Sequence, residues 1–200
     1  MFYYFFVNAL LITIVVCDIC LALKFFEHVY CTNIRHQPPL VVSSDYERHF
    51  VIEQIKTKYI GAKNICDIGA GFGGLARAVA RNTNAKVYAL ENMPFSAFVS
   101  KMLDKLCRCK NNETIWCDAF KFLDKTDIKF DVAIAYLSPT AMQMIKRYKN
   151  KIDVLISLDF EIEGLKPKSV IDVGKGYTSY NRIKYPHRLF VYDFKKGFKS

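Results

Sequence analysis

Residues 64–74 read N-I-C-D-I-G-A-G-F-G-G, and the reading of this stretch decides the fold. Ile65 to Ile68 is a short apolar strand that breaks at Gly69 into a glycine loop and resumes as a helix over Leu75 to Arg81. Glycines this close together let the backbone turn tightly and approach a ligand, because no Cβ stands in the way. A helix that begins there aims free N–H groups at the same spot, which favours a negative or hydrogen-bond-accepting group. The stretch therefore predicts a nucleotide-like ligand.

Strands and helices alternate on both sides of the loop. Upstream, Ser44-Asp45-Tyr46-Glu47 is a capping box that opens a helix to about Lys58, and Gly61 closes the segment. Downstream, Lys86 to Leu90 is a second strand ending in Glu91. Phe95, Phe98, Val99, Met102, Leu103 and Leu106 then recur at the spacing of one buried helical face. Further strands are predicted at Glu113–Trp116, Phe130–Ala135 and Asp153–Leu158, with a helix over Thr140–Tyr148. Lys168–Val173 and Leu189–Tyr192 read as two closing strands joined by a polar Gly/Tyr/Ser loop. Unalternated apolar strands separated by helices indicate a parallel sheet covered on both faces. The last pair lacks a helix between its members, so it is expected to be antiparallel.

Residues Phe2 to Leu23 carry one formal charge, Asp18, and are about long enough to cross a bilayer. A cleaved signal peptide would want a basic start and a small-residue cleavage site, and neither is present. The run reads as a retained single-pass transmembrane helix with aromatic residues near both interfaces. Lys24 and Arg35 follow it and nothing basic precedes it, which places the remaining chain in the cytoplasm. The expected organisation is a membrane anchor over residues 1–23, a juxtamembrane connector over 24–44 broken by Pro38-Pro39, and one α/β domain over 45–200.

Formal net charge is +10, from 29 Lys and Arg against 19 Asp and Glu. Such an excess suits anionic lipid, nucleic acid or an acidic protein, and says nothing about chemistry. The seven cysteines show neither a disulfide framework nor zinc spacing, so they read as free thiols and no metal site is indicated.

Gly69-x-Gly71-x-x-Gly74 alone would suit a dinucleotide, with Glu91 as the ribose-binding acid. Asp67 opposes this, because a carboxylate at the strand tip repels a pyrophosphate and attracts an amine or a sulfonium. Asp118 ends the third strand, where a carboxylate would meet the adenine amino group.

With these acids in place, Asp67-Ile-Gly69-Ala-Gly71-x-Gly73 resembles motif I of class I S-adenosylmethionine methyltransferases. The resemblance covers roughly residues 45 to 193. It implies a Rossmann-like seven-stranded methyltransferase sheet, mostly parallel with a terminal antiparallel strand pair, behind one N-terminal transmembrane helix. It also implies S-adenosyl-L-methionine as cofactor, held by Asp67, Gly69, Ala70, Gly71, Gly73, Glu91, Asn92 and Asp118. The anchor, the Pro-containing connector and the ending Leu-Phe-Val-Tyr are similar to the membrane-anchored protein-lysine methyltransferases related to the ATP synthase c-subunit lysine methyltransferase. That narrower likeness implies methylation of a lysine on a membrane-associated protein. Phe72 stands where that branch carries Asp.

Tyr136 and Ser138, at the tip of the fourth strand, are the residues expected to line the acceptor pocket, because ligands of open α/β sheets bind at strand C-termini. A turn with Pro139 starting the next helix explains the same residues without chemistry. Three other functions stay open: a membrane-anchored RNA methyltransferase using Lys146-Arg147-x-Lys149-x-Lys151, an NAD-dependent oxidoreductase, and a non-catalytic assembly factor on the same fold.

Overall fold

The computed structural model describes residues 2–33, 43–178 and 181–195. The chain divides into two compact units, Met1–Pro39 and Leu40–Ser200. The first contains helix α1 (Phe2–Asn33), within which Tyr4–Phe26 is long and apolar enough to cross a membrane. Its large apolar side chains, from Tyr4 to Phe26, are exposed. The helix continues past Leu23, where the sequence suggested a connector, and Pro38-Pro39 lies outside the described residues.

The second unit runs α2 (Asp45–Lys58), β1 (Asn64–Ile68), α3 (Gly74–Asn82), β2 (Lys86–Glu91), α4 (Pro94–Leu106), β3 (Asn112–Trp116), α5 (Ala119–Lys125) and β4 (Phe130–Ala135). There follow α6 (Pro139–Met144) with a 3₁₀ turn over Ile145–Tyr148, β5 (Ile152–Leu158), β6 (Ser169–Thr178) and β7 (Asn181–Asp193). The seven strands form one sheet in the order β3-β2-β1-β4-β5-β7-β6. Pairings are parallel from β3 to β5, and antiparallel where β7 joins β5 and β6. Strand order reverses between β1 and β4, which is where open α/β sheets form a crevice for ligands.

Burial follows from the strand pleat. Alternate residues Ile65, Val87, Val132, Ile134 and Ile156 pack with Val51 and Ile55 of α2 and Leu75, Ala76 and Val79 of α3. Their neighbours Cys66, Ile68, Leu90, Ala133 and Leu155 pack with Leu123 of α5 and with Met142, Ile145 and Tyr148 on the other face. All seven residues of β5 are buried, as expected of a strand covered on both sides.

Three local expectations need correction. α4 does not bury its large apolar residues: Phe98, Met102 and Leu106 are exposed, while Ser96, Ala97, Ser100 and Asp104 face inward. Ser100 and Asp104 bond Thr114 of β3, and these tertiary bonds outrank the apolar periodicity. α5 was not anticipated; Asp118 starts it by accepting from the N–H groups of Phe120 and Lys121. The polar segment after Val173 is largely ladder, not loop, because β6 and β7 stay paired from Ser169↔Val191 out to Thr178↔Asn181 with two register shifts.

Candidate functional site

The glycine loop closes on the tip of β2. Gly69 and Ala70 donate to the Leu90 carbonyl, and Gly71 donates to Glu91 Oε2 at 2.6 Å. Met93 donates to the other Glu91 oxygen at 2.7 Å, so a buried carboxylate ties both chain segments together. Gly69 has φ +79, and a Cβ there would lie 2.8 Å from Leu137 Cδ2. Gly73 caps α3 at φ +70, and a Cβ would collide with Ser100 Oγ and Arg77. Only glycine fits either position without strain.

Asp67 is 4% exposed on the buried end of β1. Burial, reinforced by the Glu91 charge and partly offset by the Ala76 N–H, raises its pKa from 3.8 to about 7. The sequence reading placed Asp67 as a carboxylate at the strand tip, beside helix N–H groups aimed at a ligand. The N–H groups of Gly69, Ala70 and Gly71 in the loop and of Ala76 in α3 are used internally, and burial lifts the Asp67 carboxyl to about 7.

Beneath the loop lies a buried polar network that local sequence reading did not find. Arg77 Nη2 donates to the Phe72 carbonyl at 2.5 Å, and Nη1 meets Asp104 Oδ1 at 3.1 Å. Asp104 also accepts from Asn112 and Thr114, at 2.9 and 2.6 Å. Thus α3, α4 and β3 hold the loop through the Phe72 backbone, which any side chain at that position would present. Asp104 was the available signal: a carboxylate in register with Ser96 and Ser100 at helical spacing. Asn92, half-buried, accepts from Trp116 Nε1 through its carbonyl at 3.1 Å. Asp118 caps α5 with Oδ1.

A second polar cluster gathers just past the ends of β4 and β5, beside His187 within β7. Tyr136 donates its hydroxyl to Asp159 Oδ2 at 2.7 Å, and His187 Nδ1 lies 2.7 Å from the same oxygen. Glu47, at the third position of α2, brings Oε1 to 3.3 Å from His187 Nδ1. Its Oε2 completes the capping box with the Ser44 N–H at 2.5 Å. Burial is the main cause that raises the Glu47 pKa. Burial and the Asp159 bond push the Tyr136 hydroxyl far above its usual value, so it is a proton donor at neutral pH. Tyr136 also tilts against Phe160, with ring centroids 6.4 Å apart. Ser138 takes a different place: its Oγ caps α6 by accepting the Ala141 N–H at 3.4 Å, with Pro139 in the first turn. The basic run after α6 is not a continuous charged face, because Tyr148 is buried and Lys151 donates to the carbonyls of Leu123, Asp124 and Thr126.

Neither a protein-family model nor a curated sequence matches the chain. Solved structures match its fold. An RNA methyltransferase from Salinibacter ruber, in complex with S-adenosyl-L-homocysteine, superimposes with TM-score 0.61 at 16% identity, over 79% of this chain and 96% of that one. A precorrin-6y C5,15-methyltransferase from Geobacter metallireducens gives TM-score 0.57 at 12% identity, over 78% and 92%. A precorrin 8W decarboxylase from Methanobacterium thermoautotrophicum gives 0.56 at 17%, over 79% and 94%. The fold is the seven-stranded methyltransferase fold. At these identities the likeness concerns architecture alone, and one neighbour bears the name of a decarboxylase, so chemistry has to be argued from the site.

Proposed function

We propose that the protein transfers a methyl group from S-adenosyl-L-methionine to a lysine of a membrane-associated protein. The observation that carries the cofactor assignment is Glu91 tying the glycine loop to β2, with the buried Asp67 carboxylate beside it on β1, next to the switch point of the sheet.

The donor set suits this cofactor. Glu91, buried at the tip of β2 and tied to the glycine loop, is the carboxylate proposed to meet the ribose hydroxyls. Asp118 Oδ1 takes both capping bonds, which leaves Oδ2 for an adenine amino group. Gly69, Ala70, Gly71 and Gly73 form the loop proposed to receive the cofactor, and Asn92 directly follows Glu91. Asp67 ionises most readily beside a cation, and a dinucleotide offers only anions there. The cofactor supplies an electrophilic methyl on a sulfonium. The chain supplies alignment, worth ~7–11 kcal/mol when attack geometry is well set.

Tyr136 and Phe160 line the acceptor side. The Phe160 ring beside Tyr136 offers an aromatic face that attracts a methylated cation, and the Tyr136 hydroxyl gives the acceptor amine a polar neighbour. Tyr136 is the residue proposed to orient the acceptor amine, with Ser138 shaping the adjoining turn. A helix able to cross a membrane would tether the domain, its catalytic unit on the cytoplasmic side, beside membrane-protein substrates.

An RNA acceptor is the second reading, motivated by the net charge of +10. It is the weaker one, because Lys151 of the basic run is committed to capping α5. The experiment is methyl transfer from labelled cofactor into membrane and RNA fractions, with the acceptor found by mass spectrometry. Label on a lysine of a membrane protein is expected. Label in RNA selects the second reading, and no transfer despite cofactor binding leaves a non-catalytic role.

A further inference from the structure

Glu47, Asp159 and His187 come from the first turn of α2, the residue after β5, and β7, yet one ligating atom from each lies within 4.8 Å of the other two. We propose that these three residues bind one divalent transition-metal cation.

The first argument is the proton count. Two carboxylate oxygens face a single imidazole nitrogen, Asp159 Oδ2 at 2.7 Å and Glu47 Oε1 at 3.3 Å. One N–H satisfies one of them, and Asp159 takes it. Glu47 Oε1 is left buried without a hydrogen-bond partner, on a side chain only 2% exposed. A buried carboxylate oxygen with no partner is costly, and a cation removes the cost for both acids at once.

The second argument is geometry. Donor atoms on a tetrahedral shell of ~2.1 Å bonds stand about 3.4 Å apart, close to the Glu47–His187 separation of 3.3 Å, while the Asp159–His187 contact of 2.7 Å is a hydrogen bond that must open to admit the ion. Tyr136 donates to Asp159 Oδ2, the oxygen that faces the imidazole, and so helps to hold that carboxylate toward the cluster. Asp159 holds φ +63, uncommon for a residue with a Cβ. Reciprocal bonds with Arg188, Asp159 N to its carbonyl at 2.8 Å and Arg188 N to Asp159 Oδ1 at 3.0 Å, fix it there.

Residue type and burial define the occupant. A capping box works with Gln as well as Glu, so the cap alone does not call for a negative charge at position 47. One imidazole and two carboxylates suit Zn²⁺, Mn²⁺ or Fe²⁺ better than Mg²⁺ or Ca²⁺, which prefer oxygen alone. His187 and Glu47 side chains are 6% and 2% exposed, which admits an ion more readily than a substrate group. The ion would clamp the start of α2 to the end of β5 and to β7, beside Tyr136. None of this depends on methyl transfer.

The test uses the full chain in detergent, stripped with a chelator and titrated separately with Zn²⁺, Mn²⁺, Mg²⁺ and Ca²⁺ in a calorimeter. Stoichiometric binding of Zn²⁺ or Mn²⁺ with a raised thermal midpoint is expected. Glu47→Gln, which keeps the capping box, and His187→Gln should each weaken binding by at least about 10–100-fold. Absence of binding to the wild-type chain overturns the proposal without reference to any variant. Equal binding by wild type and Glu47→Gln places the metal elsewhere and overturns it too. A Mg²⁺ or Ca²⁺ preference rejects the transition-metal assignment. Glu47→Gln that is more stable than wild type without metal, with neither protein binding metal, identifies a hydrogen-bonded cluster instead.

Discussion

The C-terminal edge of the sheet carries two acidic clusters that solve the burial of carboxylates differently. At the β1–β2 end, Glu91 is satisfied by the backbone N–H groups of Gly71 and Met93, and Asp67 by that of Ala76. At the β4–β5–β7 end, Asp159 and Glu47 converge on one imidazole, and a Glu47 oxygen is left over. In the first arrangement the carboxylates meet backbone donors within the protein. The second is incomplete as protein, which is the condition for taking up a cation. Backbone donors make the first rigid, whereas the second depends on side chains from three distant elements.

The largest effect should come from the support of the first cluster. Asp104→Ala removes the carboxylate of a buried pair whose side chains are about one-tenth exposed, and strands Arg77 under the loop. A loss of about 3–5 kcal/mol is expected in denaturant unfolding, the cost of leaving a buried charge uncompensated. A loss below 1 kcal/mol would mean that the loop does not lean on this network.

Asp67→Ala comes next. With the cofactor proposed above, affinity should fall by about 2–3 kcal/mol or more, on the order of 100-fold in calorimetry, as for a lost charged hydrogen bond. Undiminished micromolar binding would detach Asp67 from the ligand and the glycine loop from this cofactor. The second cluster should be indifferent to this substitution, and metal uptake by Asp67→Ala measures whether the two are independent.

Tyr136→Phe probes the second cluster where it meets the acceptor side. Turnover should drop by about 10–100-fold, the range for an outer-sphere orienting bond, while cofactor affinity stays unchanged. Equal losses in both would show that Tyr136 shapes the crevice rather than the acceptor.

The first cluster was legible because its parts lie close in the chain and each obeys a local rule. Asp67 and the glycines occupy one strand–loop–helix joint, and Glu91 ends the very next strand. The sheet was legible for the same reason, as β1, β2, β4 and β5 are short, mostly apolar segments without polar–apolar alternation. α4 misled because its Ser96, Ser100 and Asp104 form a polar stripe that reads as solvent-facing until Arg77, Asn112 and Thr114 are known to face it. α5 escaped notice because it has only seven residues, although Asp118 announces it as an N-cap. Glu47, Asp159 and His187 are too far apart for any spacing rule, and the capping box already gave Glu47 a sufficient role. Cysteine and histidine spacing gave no metal site, and side chains that converge only in the fold do not register in such a search.

The smallest expected effect is also the one that separates the two clusters most cleanly, because it follows a proton at Asp67 alone. Its folded pKa of about 7 lies above the ordinary carboxyl value of 3.8. The stability it contributes is therefore full below about pH 4 and is lost as pH rises to about 7, because the unfolded carboxyl ionises first. Binding of a cationic ligand requires the carboxylate, so affinity should move the opposite way and rise roughly tenfold from pH 6 to 7.5, with proton release on binding. Calorimetry in buffers of differing ionisation enthalpy reads that proton directly. Asp67→Asn should flatten the profile, since it keeps the side-chain size and cannot ionise. A profile that persists in Asp67→Asn would move the titrating group away from β1. The same titration on Glu47→Gln should leave the slope intact, because that substitution alters only the cluster around His187.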